Sequence, residues 1–308
     1  MKVIKKNAKA QLPPNAATIG FFDGVHLGHR HIIGQVKHLA QERGLQTLIV
    51  TFTEHPRKVL NCDYQPTPLN TFSEKMALLG QCGVDYCCPL EFDKELAQTS
   101  SYNFMRDFLK NRLNVQLLVV GYDNHFGSDR NATFQDYVRY GRQLGIEVVQ
   151  AEEYPLADQR VSSSAIRFCI QTGDVATAAQ LLGYPYSITG KVVKGHQLGA
   201  KMGFPTANID LRNVHKILPR DASYAVRVLH HDQAYAGMAY IGRRPTVSAE
   251  GERTLEIHLL HFDGNLYGHT ISVQFIQQLR PERRFHSLSE LEQALRHDLE
   301  ETERIVTP

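Results

Sequence analysis

From Ala17 to about Gln150 the chain alternates short apolar runs with stretches of helical period. The apolar runs are Ala17–Phe22, Thr47–Phe52, Asp85–Pro89, Leu117–Gly121 and Glu147–Gln150. Each is short, often β-branched and bounded by turn residues, as expected of strands buried on both faces. Between them, Ile32, Ile33, Val36, Leu39 and Ala40 share one helical face, and Gly44 marks its end. Thr71-Phe-Ser-Glu74 reads as a capping box that opens a helix carrying Met76, Leu78 and Leu79. Phe104, Met105, Phe108 and Leu109 mark another helix, and Phe134, Tyr137, Val138 and Leu144 a further one. Strands alternating with helices predict a parallel α/β sheet covered on both sides. Such a sheet binds ligands beyond the carboxyl ends of its strands, at the switch point.

Two short helices follow, Ser163–Gln171 and Val175–Leu182, and Gly183-Tyr-Pro-Tyr186 reads as a joint. From Ser187 to Phe275 strands dominate. Tyr224–His230 and Ala234–Tyr240 flank a polar turn, while Leu255–Phe262 and Leu266–Phe275 flank Asp263-Gly264-Asn265, a hairpin signal. A helix after Ser287-Leu-Ser-Glu290 places Leu291, Leu295 and Leu299 on one face. The second half is therefore expected to be a small antiparallel β-barrel with a C-terminal helix. The domains are drawn at 1–185 and 186–308.

Length and composition fit this division. A chain of 308 residues, 42% hydrophobic and 21% charged, can bury two cores. The net charge of +2 supplies no global field for nucleic acid or an anionic membrane, so phosphate binding must be local. The basic-aromatic stripe of a nucleic-acid binder is also missing. Five cysteines form no Cys-x-x-Cys pair and read as buried reduced thiols. The N-terminal stretch lacks the apolar core of a signal peptide, and no run suits a membrane span. The expectation is a cytoplasmic monomer or weak homo-oligomer with neither nucleic acid nor membrane as partner.

Three segments carry candidate chemistry. Thr18 to His31 reads TIGFFDGVHLGHRH, a strand passing through a Gly-bounded turn into a helix near Leu27 or Gly28. A helix start presents free N–H groups and partial positive charge to phosphate. His26 and His29, three apart, face the same way and can donate to phosphate oxygens in a transition state. Gly20, Gly24 and Gly28 let a triphosphate approach the backbone. A zinc set of His26, His29 and His31 is the competing reading, with no nearby Cys or acidic partner to complete it. Farther on, the hydroxyls of Val161-Ser-Ser-Ser-Ala-Ile-Arg167 sit at a predicted helix start, and Arg167 can pair with a leaving pyrophosphate.

The third segment, Gly190 to Ile209, reads GKVVKGHQLGAKMGFPTANI. A strand leads into a glycine-rich loop and then Phe204-Pro-Thr-Ala-Asn208, where Thr206 and Asn208 share one side. These two oxygen donors can ligate Mg²⁺ beside phosphate oxygens. No Gly-x-x-x-x-Gly-Lys-Ser/Thr string occurs, so this is not a P-loop.

These segments carry a family resemblance. The Gly-x-Phe-Asp-Gly-x-His-x-Gly-His arrangement at 20–29, with Ser-Ser-Ser-Ala-Ile-Arg at 162–167, resembles the nucleotidylyltransferase superfamily and its Rossmann-like fold. Thr51-Phe-Thr-Glu-His-Pro56 and Gly121-Tyr-Asp-Asn-His-Phe-Gly127 narrow the resemblance to the FMN adenylyltransferase module of bacterial bifunctional FAD synthetases. Gly203-Phe-Pro-Thr-Ala-Asn208 is the riboflavin kinase signature, in company with Gly242-Arg-Arg-Pro-Thr246, Leu255-Glu-Ile-His258, Phe262–Gly268 and Leu279-Arg-Pro-Glu282.

The resemblance implies riboflavin, FMN and ATP as substrates, Mg²⁺ as cofactor, and FMN and FAD as products. It implies that His26 and His29 stabilise the adenylyl-transfer transition state. Gly20, Phe22, Asp23, Gly24, Gly28, Ser163, Ser164 and Arg167 would serve ATP there, and His55, Asp123 and Asn124 would lie near flavin or adenine. In the kinase, Glu256 would be the base on the ribityl hydroxyl. Gly195, Gly203, Phe204 and Pro205 would line ATP, Thr206 and Asn208 would hold Mg²⁺, and Arg280 and Glu282 would lie by the flavin. Phe21, Glu54 and Asn124 stand where the family commonly has Asn, Pro and an aromatic, and Ala200 and Met202 where it has Arg and Leu. The alternatives are a single-activity homologue and a flavin-binding regulator without turnover.

Overall fold

The computed structural model describes residues 1–4, 12–55, 65–122, 125–129, 131–155, 161–195, 203–243 and 253–306. Its contacts fall into two units, Met1–Val161 and Ser162–Pro308.

In the first unit the described elements run β1 (Lys2–Val3), β2 (Asn15–Ile19), α1 (Leu27–Glu42), β3 (Gln46–Phe52), α2 (Phe72–Gln81) and β4 (Tyr86–Leu90). They continue with α3 (Lys94–Gln98), α4 (Ser101–Asn103, passing into a π-helical stretch Phe104–Lys110), β5 (Val115–Val120), α5 (Phe134–Leu144) and β6 (Glu147–Gln150). The six strands form one sheet in the order β1-β4-β3-β2-β5-β6. Every pairing in it is parallel. From β2 the chain first builds outward through β3 and β4, then returns to the other side of β2 with β5. The carboxyl end of β2 is thus the switch point.

β2 is buried along its whole length, as the sequence pattern requires of a central strand. On one face, Val36 and Ala40 of α1 pack against Ala16 of β2 and Leu117 and Val119 of β5. The capping box at Thr71 and Glu74 forms in full and sets the start of α2. β2 is shorter than the apolar run suggests. It ends at Ile19, and Phe22 takes a left-handed φ of 55° that no strand can accommodate.

The second unit comprises α6 (Ser163–Thr172), α7 (Val175–Leu182), β7 (Ser187–Val193), β8 (Ala207–Ile209), β9 (Ala222–His230), β10 (Gln233–Arg243), β11 (Arg253–Leu259), β12 (Thr270–Pro281) and α8 (Leu288–Ile305). Its strands close a barrel in the order β10-β11-β8-β7-β12-β9. Tyr186, Ile188, Tyr224, Val226, Ile257 and Phe275 are among the buried residues of this unit.

The expected hairpin around Asp263-Gly264-Asn265 does not form. β11 pairs with β10 and β8, whereas β12 pairs with β7 and β9. Closing the barrel inserts β8 and β7 between the two strands that sequence proximity would join. On α8 the fully buried positions are Ala294, Asp298 and Thr302, while Leu291, Leu295 and Leu299 are half-buried beside them. The Ser287 cap is present, but Glu290 turns to the His286 N–H, so the box is only half made.

Candidate active sites

The β2–α1 turn concentrates unusual backbone. Phe22, Gly24 and Val25 all have left-handed φ (55°, 85° and 38°), and Val25 is β-branched and fully buried. Such strain persists where the surroundings hold it, and it clusters at functional turns. The turn delivers His26 to the N-cap of α1. His29 N–H donates to His26 Nδ1 at 3.2 Å, and the two rings stack with centroids 3.5 Å apart and planes 15° from parallel. The paired imidazoles expected from the sequence are therefore assembled, one of them also serving as a helix cap.

His29 is held well below the ordinary histidine pKa, first by burial and then by His26 and Lys75. Its Nδ1 is sealed from solvent and has no hydrogen-bond partner among the described residues. The ring is thus neutral at pH 7 and acts as a neutral imidazole rather than a fixed cation. Phe22 packs edge-on against it at 5.2 Å. Gly28 lies under His26, since a Cβ there would sit 3.3 Å from the ring. The rival zinc set is not assembled: among the described residues, no group of three converging metal-ligating side chains contains His26, His29 or His31.

Asp23 is buried, and its Oδ1 accepts the Leu69 N–H at 2.9 Å, so this carboxylate fixes the turn to the segment before α2. Lys75 of α2, absent from the sequence expectations, reaches the turn with its ammonium. It is 3% exposed and donates to Phe21 O at 3.1 Å and Phe52 O at 2.7 Å. Its ammonium thereby ties the carboxyl ends of β2 and β3. Desolvation lowers its pKa to about 8, with Asp23 opposing the shift. The ammonium also lies 4.2 Å from the centre of the Phe21 ring, and His55 meets that ring edge-on at 4.6 Å. Asp123 and Asn124 lie outside the described residues.

At the start of the second unit, Ser162 caps α6 by accepting the Ala165 N–H at 3.2 Å. Ser163 is half-buried, Ser164 exposed and Arg167 buried on this first turn and a half.

The barrel builds a second constellation. Glu256 of β11 stands in register opposite Asn208 of β8, and Thr206 Oγ1 donates to Glu256 Oε2 at 3.3 Å. Three oxygen-bearing side chains from a loop and two strands thus share one face, as the alternation of Thr206 and Asn208 predicts. Asn208 is buried, and its amide packs on Gly195, where an added Cβ would fall 2.2 Å from Nδ2. That contact explains a glycine at 195. Gly203 takes φ 83°, and Pro205 O is held by His258 Nδ1 at 2.9 Å, with Phe204 edge-on to the same imidazole. A cleft of about 150 Å³ beside Thr206 is lined by Val192, Pro205, Phe262 and Tyr267 among others. Asn208 borders a separate depression with Lys194, Asp210 and Arg253.

Arg280 and Glu282 are drawn to different partners. Arg280 pairs with the buried Asp298 of α8 at 2.9 Å and lies over Phe285, while Glu282 accepts the Tyr240 hydroxyl at 2.8 Å. Burial raises the Asp298 pKa despite Arg280, and burial with the Glu282 hydrogen bond raises that of Tyr240. The loop residues 196–202, including Ala200 and Met202, lie outside the described residues.

Two family models cover most of the chain, FAD synthetase over residues 8–165 and riboflavin kinase over 182–306. The bifunctional riboflavin kinase/FMN adenylyltransferase of Escherichia coli (strain K12) is 37% identical over 282 residues, covering 91% of this chain and 89% of its own. The chain belongs to this bacterial family. The enzyme of the same description from Pseudomonas fluorescens is 37% identical over 292 residues, 95% of this chain and 93% of its own. A crystal structure described as a macrolide-efflux protein from Streptococcus pneumoniae superposes with a TM-score of 0.89 at 29% identity, over 99% of both chains. None of the described helices is long and apolar enough to cross a membrane. Membership in the bifunctional family accounts for the pairing of an α/β unit with a barrel.

Proposed function

We propose that the chain makes FAD in two ATP-dependent steps, with kinase activity in residues 186–308 and adenylyl transfer in residues 1–185. In the first step the ribityl 5′-hydroxyl of riboflavin attacks the γ-phosphorus of ATP, giving FMN and ADP. Glu256 orients that hydroxyl and takes its proton. Thr206 and Asn208 would hold Mg²⁺, to which the hard oxygens gathered around Glu256 are suited. The ion, when bound, spreads the negative charge of the transferring phosphoryl group. Gly195, Gly203, Phe204 and Pro205 line the ATP phosphates, and Arg280 and Glu282 border the flavin.

In the second step an FMN phosphate oxygen attacks the α-phosphorus of ATP, giving FAD and pyrophosphate. His26 and the neutral His29 donate hydrogen bonds to the phosphate oxygens as charge develops. The free N–H groups of α1 add to this field, with Gly20, Phe22, Asp23, Gly24 and Gly28 shaping the approach. Ser163, Ser164 and Arg167 are assigned to ATP phosphates by their family motif, and His55, Asp123 and Asn124 to the flavin or adenine. The observation that carries the reading is the Thr206–Asn208–Glu256 grouping in one unit and the stacked His26–His29 pair at the switch point of the other. Incubation with riboflavin, ATP and Mg²⁺, followed by chromatography over time, tests it. FMN should appear first and FAD after it; release of ADP without FMN would refute the assignment.

A further inference from the structure

Outside both constellations, three histidines converge at one end of the barrel. His230 ends β9, His231 lies in the β9–β10 turn, and His269 immediately precedes β12. One ring nitrogen from each lies within 4.8 Å of the other two, and His230 Nε2 is 2.8 Å from His269 Nδ1. We propose that His230, His231 and His269 form a three-imidazole binding site for a zinc-class transition-metal ion, with its remaining position open to solvent.

The backbone places all three side chains. His230 is in register with Gln233, which closes the hairpin over His231 and Asp232. His231 has φ 51°, the left-handed turn geometry that histidine tolerates better than most side chains. His269 is fixed from both sides, its N–H donating to Leu266 O at 3.0 Å and its carbonyl accepting the Val192 N–H at 2.8 Å. Only side-chain rotation remains to be spent on binding. Zinc–imidazole bonds of about 2.0–2.1 Å in a tetrahedral arrangement put ligand nitrogens about 3.3 Å apart. His230 and His269 need open only slightly from their hydrogen-bonded distance, and the exposed His231 ring swings inward.

The donor set also separates this site from the catalytic cation. Neutral imidazoles suit Zn²⁺, Ni²⁺ or Cu²⁺, whereas Mg²⁺ prefers carboxylate, carbonyl and water oxygens. Along β10, Gln233 is opposite His230 and Tyr240 is opposite Glu256, which puts roughly 20 Å of strand between the two levels at about 3.3 Å per residue. A bound ion would clamp the β9–β10 hairpin to the start of β12.

The test is equilibrium dialysis of the chelator-stripped full chain against Zn²⁺ in excess Mg²⁺, comparing wild type with His269→Gln and His231→Asn. Asparagine keeps the left-handed turn, so His231→Asn removes the ligand without unfolding the hairpin. His38→Gln on α1 controls for adventitious binding by a single exposed histidine. Wild type and the control should bind one more Zn²⁺ than His269→Gln, and His231→Asn should weaken that site at least about tenfold. Circular dichroism should show all four proteins equally folded. Equal stoichiometry and affinity in all four would overturn the proposal, as would loss of the site in the His38 control.

Discussion

Asn208 and Glu256 face each other across the β8–β11 pair, and the Asn208 amide lies directly on the backbone of Gly195. Gly195 and the proposed base are therefore coupled through one buried amide. Gly195→Ala would push Asn208 away, because the new methyl would fall 2.2 Å from Nδ2. Riboflavin phosphorylation should drop about 100-fold, the usual cost of a misplacement near 1 Å. FAD formation from supplied FMN should be unchanged, which a two-substrate assay will read directly.

His26 both caps α1 and presents an imidazole, and substitutions can separate the two roles. Asparagine is an equally good cap, so His26→Asn should change stability by less than about 0.5 kcal/mol while lowering adenylyl transfer about 100-fold. His26→Ala should lose the same activity and also about 1 kcal/mol of stability. Urea denaturation alongside FAD formation separates the outcomes.

Lys75 predicts a pH dependence. Its pKa is about 8 in the folded chain, against 10.5 when exposed. Between these values the unfolded chain holds the proton that the folded chain has released, so stability rises with pH. Below about pH 8 both states are charged and the burial cost is paid in full. The stability of wild type relative to Lys75→Met should rise by about 2 kcal/mol from about pH 7.5 to about pH 10. Denaturation of both proteins at the two pH values measures it, and a constant difference would contradict it.

Much of this arrangement was legible in the residues. The Gly–His string marked the first turn because a strand running into a helix start is a local event, written in consecutive positions. Thr206, Asn208 and Glu256 were legible through alternation and the kinase signature. Lys75 was not, since a lysine beside Met76 reads as solvent-facing and only the ends of β2 and β3, distant in sequence, give its ammonium two carbonyls. The partners of Arg280 and Glu282 were hidden for the same reason: Asp298 sits on the polar-looking α8 and Tyr240 on a strand two neighbours away. The expected hairpin at Asp263-Gly264-Asn265 failed because barrel closure is a global constraint that turn chemistry does not encode. β1, two residues long, is too short to leave a periodic signal.

In the proposed pathway two chemically independent sites act in series on one flavin. Glu256→Gln and His26→Asn should be assayed singly and mixed, with riboflavin, ATP and Mg²⁺ and chromatographic detection of FMN and FAD. Glu256→Gln alone should leave riboflavin unreacted, His26→Asn alone should stop at FMN, and the mixture should make FAD. A folded variant that loses both half-reactions, or a mixture that makes no FAD when each partner keeps its own, would contradict the account.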